Sequence, residues 1–191
     1  MLIERITPCG RGDARPDPEE AGTTGRLAIA PLTAADVEPL AERLWHEAVY
    51  RHLGGLPAAS SAVAAWLHGT LAGPRPDQPP EQWLNYVMRL ADGGEIVGLL
   101  QATLHEGIAE VAFLLAPAHW GRGLAAEGLR WLHETLGRVS PGVACWATTV
   151  PEHRHCQALL ARAGYVRAEP PVMPALSTYD EGDWVYCRPG E

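Results

Sequence analysis

Two glycines and an arginine in the run Trp120-Gly-Arg-Gly123-Leu-Ala125 are the residues of this chain best suited to hold an anion. Glycine lets backbone pass close to a ligand, and the apolar residues Ala125, Leu129, Leu132 and Leu136 follow at helical spacing, so a helix starts where the glycines end. The first turn of a helix presents N–H groups without backbone acceptors and a partial positive charge. Fed by glycines, it is a cradle for a phosphate or diphosphate. Arg122 adds a charge-assisted donor beside it. Ahead of the loop, Val111 to Leu115 is an apolar run too short for a helix and suited to a buried strand, and Pro117 closes it.

Two other phosphate-binding patterns fit less well. A P-loop ends in Lys followed by Ser or Thr, and this chain contains no lysine. Gly121-Arg-Gly123-Leu-Ala-Ala126 matches the dinucleotide fingerprint of nucleotide-dependent oxidoreductases. In that motif, however, the first glycine follows its strand almost directly, whereas residues 116 to 120 intervene here and the upstream segment reads as hairpins.

Trp120-Gly-Arg-Gly123-Leu-Ala125 also resembles the Arg/Gln-x-x-Gly-x-Gly/Ala signature of the GNAT N-acetyltransferase superfamily, with Trp at the first position. Its surroundings, Ala118-His-Trp-Gly-Arg-Gly-Leu-Ala-Ala-Glu127, are similar to those in the branch of the Rim-type ribosomal-protein N-terminal acetyltransferases. A second stretch carries the same resemblance. Pro151-Glu-His153-Arg-His-Cys156, an apolar helix, then Gly164-Tyr165 follows the spacing of that branch's Pro-Glu-Asn-x-x-Ser segment and Gly-Phe. Here His153 and Cys156 replace the Asn and Ser, and Leu160 stands where many other GNAT enzymes carry a tyrosine acid.

The resemblance implies an α+β fold with a central mixed, mostly antiparallel sheet flanked by helices, and acetyl-CoA as cosubstrate. It also implies direct transfer of the acetyl group to a primary amine, which is a protein or peptide N-terminus or a small molecule. A CoA-binding protein without transferase activity is the alternative, because of the replaced Asn, Ser and Tyr positions. By the same resemblance, two strands splay apart after Phe113 and Leu114, and the pantetheine arm lies along Phe113, Leu114 and Leu115. Trp120, Gly121, Arg122, Gly123, Leu124 and Ala125 hold the diphosphate. Glu110 is the candidate general base, since its separation from Gly123 resembles that of the histone acetyltransferases of the superfamily. Cys156 either donates the proton to the leaving thiolate or packs as a small hydrophobe, and His153 either donates or contacts the CoA arm. The implied acceptor lining is Trp45, His46, Tyr50, Trp83, Tyr179 and Asp180.

Those residues need a frame. Residues 1 to 26, poor in periodicity and rich in Gly, Pro, Asp and Glu, read as a flexible arm, and residues 27 to 191 as one domain. Leu27 to Pro31 predicts a first strand. A helix follows, with Asp36 the expected N-cap because Pro39 belongs in a first turn, and with Leu40, Leu44, Trp45 and Ala48 as its apolar face. A second helix from about Ser60 turns Val63, Trp66, Leu67, Thr70 and Leu71 to one side, and residues 73 to 82 are loop. Three meandering strands follow, Leu84 to Leu90, Glu95 to Leu104 and Ala109 to Leu115, the first two joined by Ala91-Asp-Gly-Gly94. After the organising helix come a strand from Val143 to Val150, a helix after Pro151, and closing strands at Tyr165 to Ala168 and Asp183 to Arg188.

Composition sets the remaining bounds. At 191 residues and 47% hydrophobic, the chain can bury a proper core. It has no apolar run long enough for a membrane span, and its first residues lack a signal-peptide core, so a cytoplasmic protein without a membrane partner is expected. Cys9, Cys145, Cys156 and Cys187 stand far apart without a C-x-x-C pair, which suits reduced thiols and no metal site. A net charge of -8 argues against nucleic acid as a partner and suits a cationic amine. A monomer or homodimer is expected.

Overall fold

The computed structural model describes residues 21–74, 80–169 and 173–190. The chain runs through β1 (Gly22–Thr23), β2 (Leu27–Pro31), α1 (Ala34–Leu44), α2 (Glu47–Tyr50), α3 (Ser60–Ala72), β3 (Gln82–Leu90), β4 (Ile96–His105) and β5 (Ile108–Leu115). It continues through a 3-10 turn (Pro117–His119), α4 (Leu124–Val139), β6 (Ala144–Thr149), α5 (Arg154–Arg162), β7 (Val166–Ala168) and β8 (Trp184–Arg188). The strands form one sheet in the order β1-β2-β3-β4-β5-β6-β8-β7, and every pairing is antiparallel except β5 with β6. This is the expected element order, with a short edge strand and a one-turn helix added.

Both faces of the sheet are covered, so the first half of its central strand β4 is apolar. Ile96 to Leu100 are all buried, as a strand sandwiched between helices requires. One core gathers Tyr86, Met88, Leu100, Leu124, Leu129, Leu132 and Leu136 under α4, and the other gathers Val37, Leu40, Leu44, Val63, Leu67 and Leu99 under α1 and α3. Between Met88 and Arg89 the register with β4 slips, leaving Val97 as the extra residue of a bulge. Its carbonyl accepts the N–H of Ala116 (2.9 Å), which fixes the chain as it leaves β5 for the glycine loop. At Gly128 a Cβ would overlap the sulfur of Met88, so a larger residue there would require the Met88 side chain to shift.

Four sequence expectations are revised. The N-cap of α1 is Thr33, not Asp36; Asp36 lies in the first turn and accepts from the backbone N–H of Thr33 (2.9 Å) and its hydroxyl (2.6 Å). Pro39 is tolerated further along because it is exposed, and the buried face of Val37, Leu40, Ala41 and Leu44 outweighs one missing N–H. Trp45 and Ala48 do not extend that face: α1 stops at Leu44, and the Trp45 indole donates outward to the Pro57 carbonyl (2.9 Å). On α3, Ala64 takes the buried position and Trp66 is exposed. The sheet also begins before Leu27, since Gly22 and Thr23 pair with Ile29 and Ala28; residues 1–20 of the expected arm lie outside the described residues. No helix among the described residues is long and apolar enough to cross a membrane.

Candidate functional site

The parallel pair opens early. β5 pairs with β6 at Ile108↔Ala144, Ala109↔Cys145 and Glu110↔Trp146, and no further, although β5 runs on to Leu115 and β6 to Thr149. The expected divergence after Phe113 and Leu114 therefore starts after Glu110. β6 stays paired with β8 as far as Thr149↔Trp184, so its twist carries it away from β5. The freed edge of residues 111–115 faces a cleft. Phe113 packs toward the α4 core and Leu114 toward the α1–α3 core, while Leu115 is buried.

At the end of β5 the glycine loop is braced from several sides. The indole of Trp120 donates to the carbonyl of Leu115 (2.8 Å), which ties the loop to the strand's last residue. Gly121 and Gly123 sit at φ 71° and 76°, in the left-handed region that β-carbons disfavour. The first helical bond of α4 runs from Glu127 N–H to the carbonyl of Gly123 (3.2 Å), so the amides of Leu124, Ala125 and Ala126 precede it. Arg26 donates to the carbonyl of Arg122 (2.7 Å) and to Glu127 (2.7 Å), and Thr24 donates to the same carboxylate. Burial raises the pKa of Glu127, but the bonds from Thr24 and Arg26 outweigh it and leave the carboxyl below its ordinary value. The Arg122 guanidinium bonds His119 Nδ1 (3.1 Å) and, among the described residues, pairs with no carboxylate.

Glu110 closes the base of the cleft. Its carboxylate is buried, and Oε1 accepts from His105 Nε2 (2.6 Å) and from the backbone and hydroxyl of Ser177 (2.8 Å each). Oε2 accepts from the backbone (3.0 Å) and hydroxyl (2.6 Å) of Thr178. Burial pushes its pKa up, yet the donors of Thr178 and Ser177 bring it below the usual range. Such a carboxylate binds a proton poorly and has its lone pairs engaged. It anchors the loop before β8, and Thr148 fixes the same loop from β6 by donating to the Thr178 carbonyl (2.8 Å).

Across the cleft, His153 caps α5 by accepting from the amide of Cys156 (3.4 Å), and its ring stacks on His52 with centroids 4.4 Å apart. Burial, then His52 and His155, lower its pKa, so the ring is neutral at neutral pH. Cys156 is half-buried against the α4 core; burial raises its pKa, and a bond with Thr149 partly offsets this.

The expected acceptor residues are less unified. His46 caps α2 by accepting from Ala48 (3.1 Å), and Tyr50 packs on the α1–α3 core, where burial raises its pKa. Trp45 bonds Pro57, and Trp83, at the start of β3, donates to Glu81 (2.7 Å). Tyr179 and Asp180 are exposed on the loop anchored by Glu110. The bonds of Trp45, His46 and Trp83 are local and join none of them to Tyr179 or Asp180. The structure adds His105, Ser177 and Thr178 around Glu110, and Arg26 and His119 around the glycine loop. Only His119 had a signal in the sequence, its position inside the loop motif.

The chain matches the acetyltransferase (GNAT) domain family over residues 26–166 and belongs to it. The sheet order, the parting of one parallel pair and the glycine-fed helix are the features of that fold seen here. Among solved structures, a probable GNAT-family acetyltransferase from Chromobacterium violaceum is 20% identical, with a TM-score of 0.70 over 98% of this chain and 94% of its own. The Salmonella typhimurium acetyl transferase that modifies the N-terminal serine of ribosomal protein L7/L12 is 13% identical, with a TM-score of 0.69 over 88% of this chain and 97% of its own. RimL, the ribosomal L7/L12 α-N-protein acetyltransferase, in complex with coenzyme A is also 13% identical, with a TM-score of 0.68 over 89% and 98%. No curated protein sequence matches the chain.

Proposed function

We propose that this protein is an acetyl-CoA-dependent N-acetyltransferase whose acceptor is a primary amine of modest basicity, either the α-amine of a peptide or protein or a comparable small molecule. The observation that carries the reading is the early parting of β5 and β6 beside a loop whose positive-φ glycines lead into the amides of α4 that precede its first helical bond. The residues present fit the cosubstrate. A Cβ at Gly121 would meet open space, so the backbone there is approachable, and the amides of Leu124 to Ala126 together with Arg122 offer donors for a diphosphate. The freed edge of residues 111–115 offers backbone groups to an extended amide-bearing arm. When bound, acetyl-CoA supplies a thioester carbonyl open to attack by the amine.

Cys156 keeps its proton at Sγ at neutral pH, because burial raises its pKa, and so holds a proton for a leaving thiolate. Glu110 positions rather than abstracts, since its oxygens are already engaged. An amine in this cleft therefore arrives neutral or gives its proton to water, since the one lone pair of the neutral His153 ring is engaged by the Cys156 amide. That favours α-amines, with pKa of about 7.7 to 8.0, over lysine side chains at about 10.4. A peptide acceptor is also in keeping with the neighbours named for L7/L12.

One observation favours the alternative, a CoA-binding protein without transfer: the buried carboxylate of the cleft has no oxygen to spare. The test is incubation with acetyl-CoA and a panel of free-N-terminus peptides, N-blocked lysine peptides, aminoglycosides, polyamines and amino acids, read by mass spectrometry. Acetylated α-amines support the proposal. Bound acetyl-CoA with no product on any amine supports the alternative, and product confined to lysine side chains overturns the assignment of the acceptor.

A further inference from the structure

The acetyl-CoA reading of the glycine loop leaves one buried group unexplained. His119 is 2% exposed, in the 3-10 turn between β5 and the glycines, and its Nε2 has no hydrogen-bond partner among the described residues. The tautomer follows from its neighbour. A guanidinium only donates, so Nδ1, 3.1 Å from Arg122, must be the acceptor, and the ring hydrogen sits on Nε2. Glu95 Oε1 lies 3.8 Å from that nitrogen, beyond hydrogen-bond reach, and this oxygen already accepts from Arg43 (2.8 Å). Nothing in the ring's own hydrogen bonding accounts for its burial, since one of its two nitrogens is unsatisfied. What it does supply is a fixed, uncharged acceptor for the arginine of the loop.

The lack of charge on that acceptor distinguishes the two arginines here. Arg26 is neutralised by Glu127 and acts on the loop through the Arg122 carbonyl. Arg122 is held by a neutral ring, so its position is fixed while its charge stays available. A carboxylate in place of His119 would orient the guanidinium equally well and cancel its attraction for an anion.

We infer that His119 is a positioning residue for the diphosphate of the acyl donor: it fixes the Arg122 guanidinium beside the amides of α4 without neutralising it. The inference rests on the acetyl-CoA reading of this loop. Holding a long side chain in place before binding removes an ordering cost that corresponds to about 3- to 10-fold in affinity.

The test is acyl-donor binding and steady-state kinetics for the wild-type protein and for His119→Phe, His119→Asn, Arg122→Ala and the His119→Phe/Arg122→Ala double variant. His119→Phe is expected to raise Kd and KM for acetyl-CoA about 3- to 10-fold with kcat unchanged, and to leave binding of acetyl-pantetheine, which lacks the diphosphate, unaltered. His119→Asn keeps an acceptor at the place of Nδ1 and is expected to restore affinity. In the Arg122→Ala background, His119→Phe is expected to change nothing further. Equal losses for acetyl-CoA and acetyl-pantetheine, or additive losses in the double variant, would overturn the inference in favour of a packing role. If His119→Phe does not fold, the His119→Asn and Arg122→Ala variants decide by whether Arg122→Ala discriminates the two donors and Asn preserves that discrimination. A wild-type protein that binds no acetyl-CoA would instead remove the reading of the loop itself.

Discussion

The two walls of the cleft are built in opposite ways. The proposed donor side is one contiguous stretch, from the end of β5 through the glycines into α4, braced from outside by Thr24, Arg26 and the Val97 carbonyl. The proposed acceptor side draws on the turn after α2, the loop before β8 and the start of α5, segments more than a hundred residues apart in the chain, and one carboxylate, Glu110, holds the loop. A local site is set by backbone conformation and tolerates changes elsewhere. A site assembled over long range depends on whichever buried group joins its parts.

Breaking that group is expected to have the largest effect. Glu110→Ala strands the donors of His105, Ser177 and Thr178 and is expected to cost about 3 kcal/mol in urea unfolding, with new proteolysis at the loop carrying Tyr179. A variant of unchanged stability would show that the anchor is dispensable. Next, Gly123→Val forces a β-branched residue to φ 76°. About 1 to 2 kcal/mol of strain is expected to appear mainly as acetyl-CoA affinity lowered about tenfold, measured by calorimetry, because the loop rather than the core yields.

Acid sharpens the contrast. The folded pKa values of Glu110, Glu127 and Asp36 all lie below their ordinary values, so each contributes stability that is present above the unfolded carboxyl range and lost as pH falls through the folded values. Stability is expected to decline below about pH 4.5. Glu110→Gln should flatten that decline more than substitutions at the exposed Glu134 do; denaturation midpoints across pH 3 to 7 measure it. Cys156→Ala is expected to lower turnover several-fold with acetyl-CoA affinity unchanged; unaltered turnover would leave Cys156 a packing residue only. The smallest effect belongs to Thr33→Ala, expected to cost about 1 kcal/mol by removing a helix cap remote from both walls.

The same contrast explains what the sequence revealed. Hydrophobic periodicity located the main strands and helices, and the glycines located the loop, because these signals lie within a dozen residues of one another. Capping was misjudged at Asp36, since the exposure of Pro39 depends on which face of α1 is buried. Trp66 was placed inside for a similar reason: helical spacing defines a stripe without fixing its edges. Glu110 stands out in the sequence by its resemblance to the glutamate base of the histone acetyltransferases, whereas its partners at Ser177 and Thr178 lie 67 and 68 residues away and carry no motif. The point at which β5 and β6 part was also misplaced, because it depends on how far β8 holds β6, a pairing between strands without a shared pattern.

One consequence follows for changing what this scaffold acts on. The loop before β8 meets the body through Ser177 and Thr178, which Glu110 and Thr148 grip, while Tyr179 to Gly182 lie beyond that grip and are exposed. The loop thus divides into a socket and a replaceable tip. On the proposed acceptor reading, exchange of the tip is a route to a new acceptor preference, whereas a graft that begins two residues earlier discards the socket and, with it, four of the five donors to the buried carboxylate.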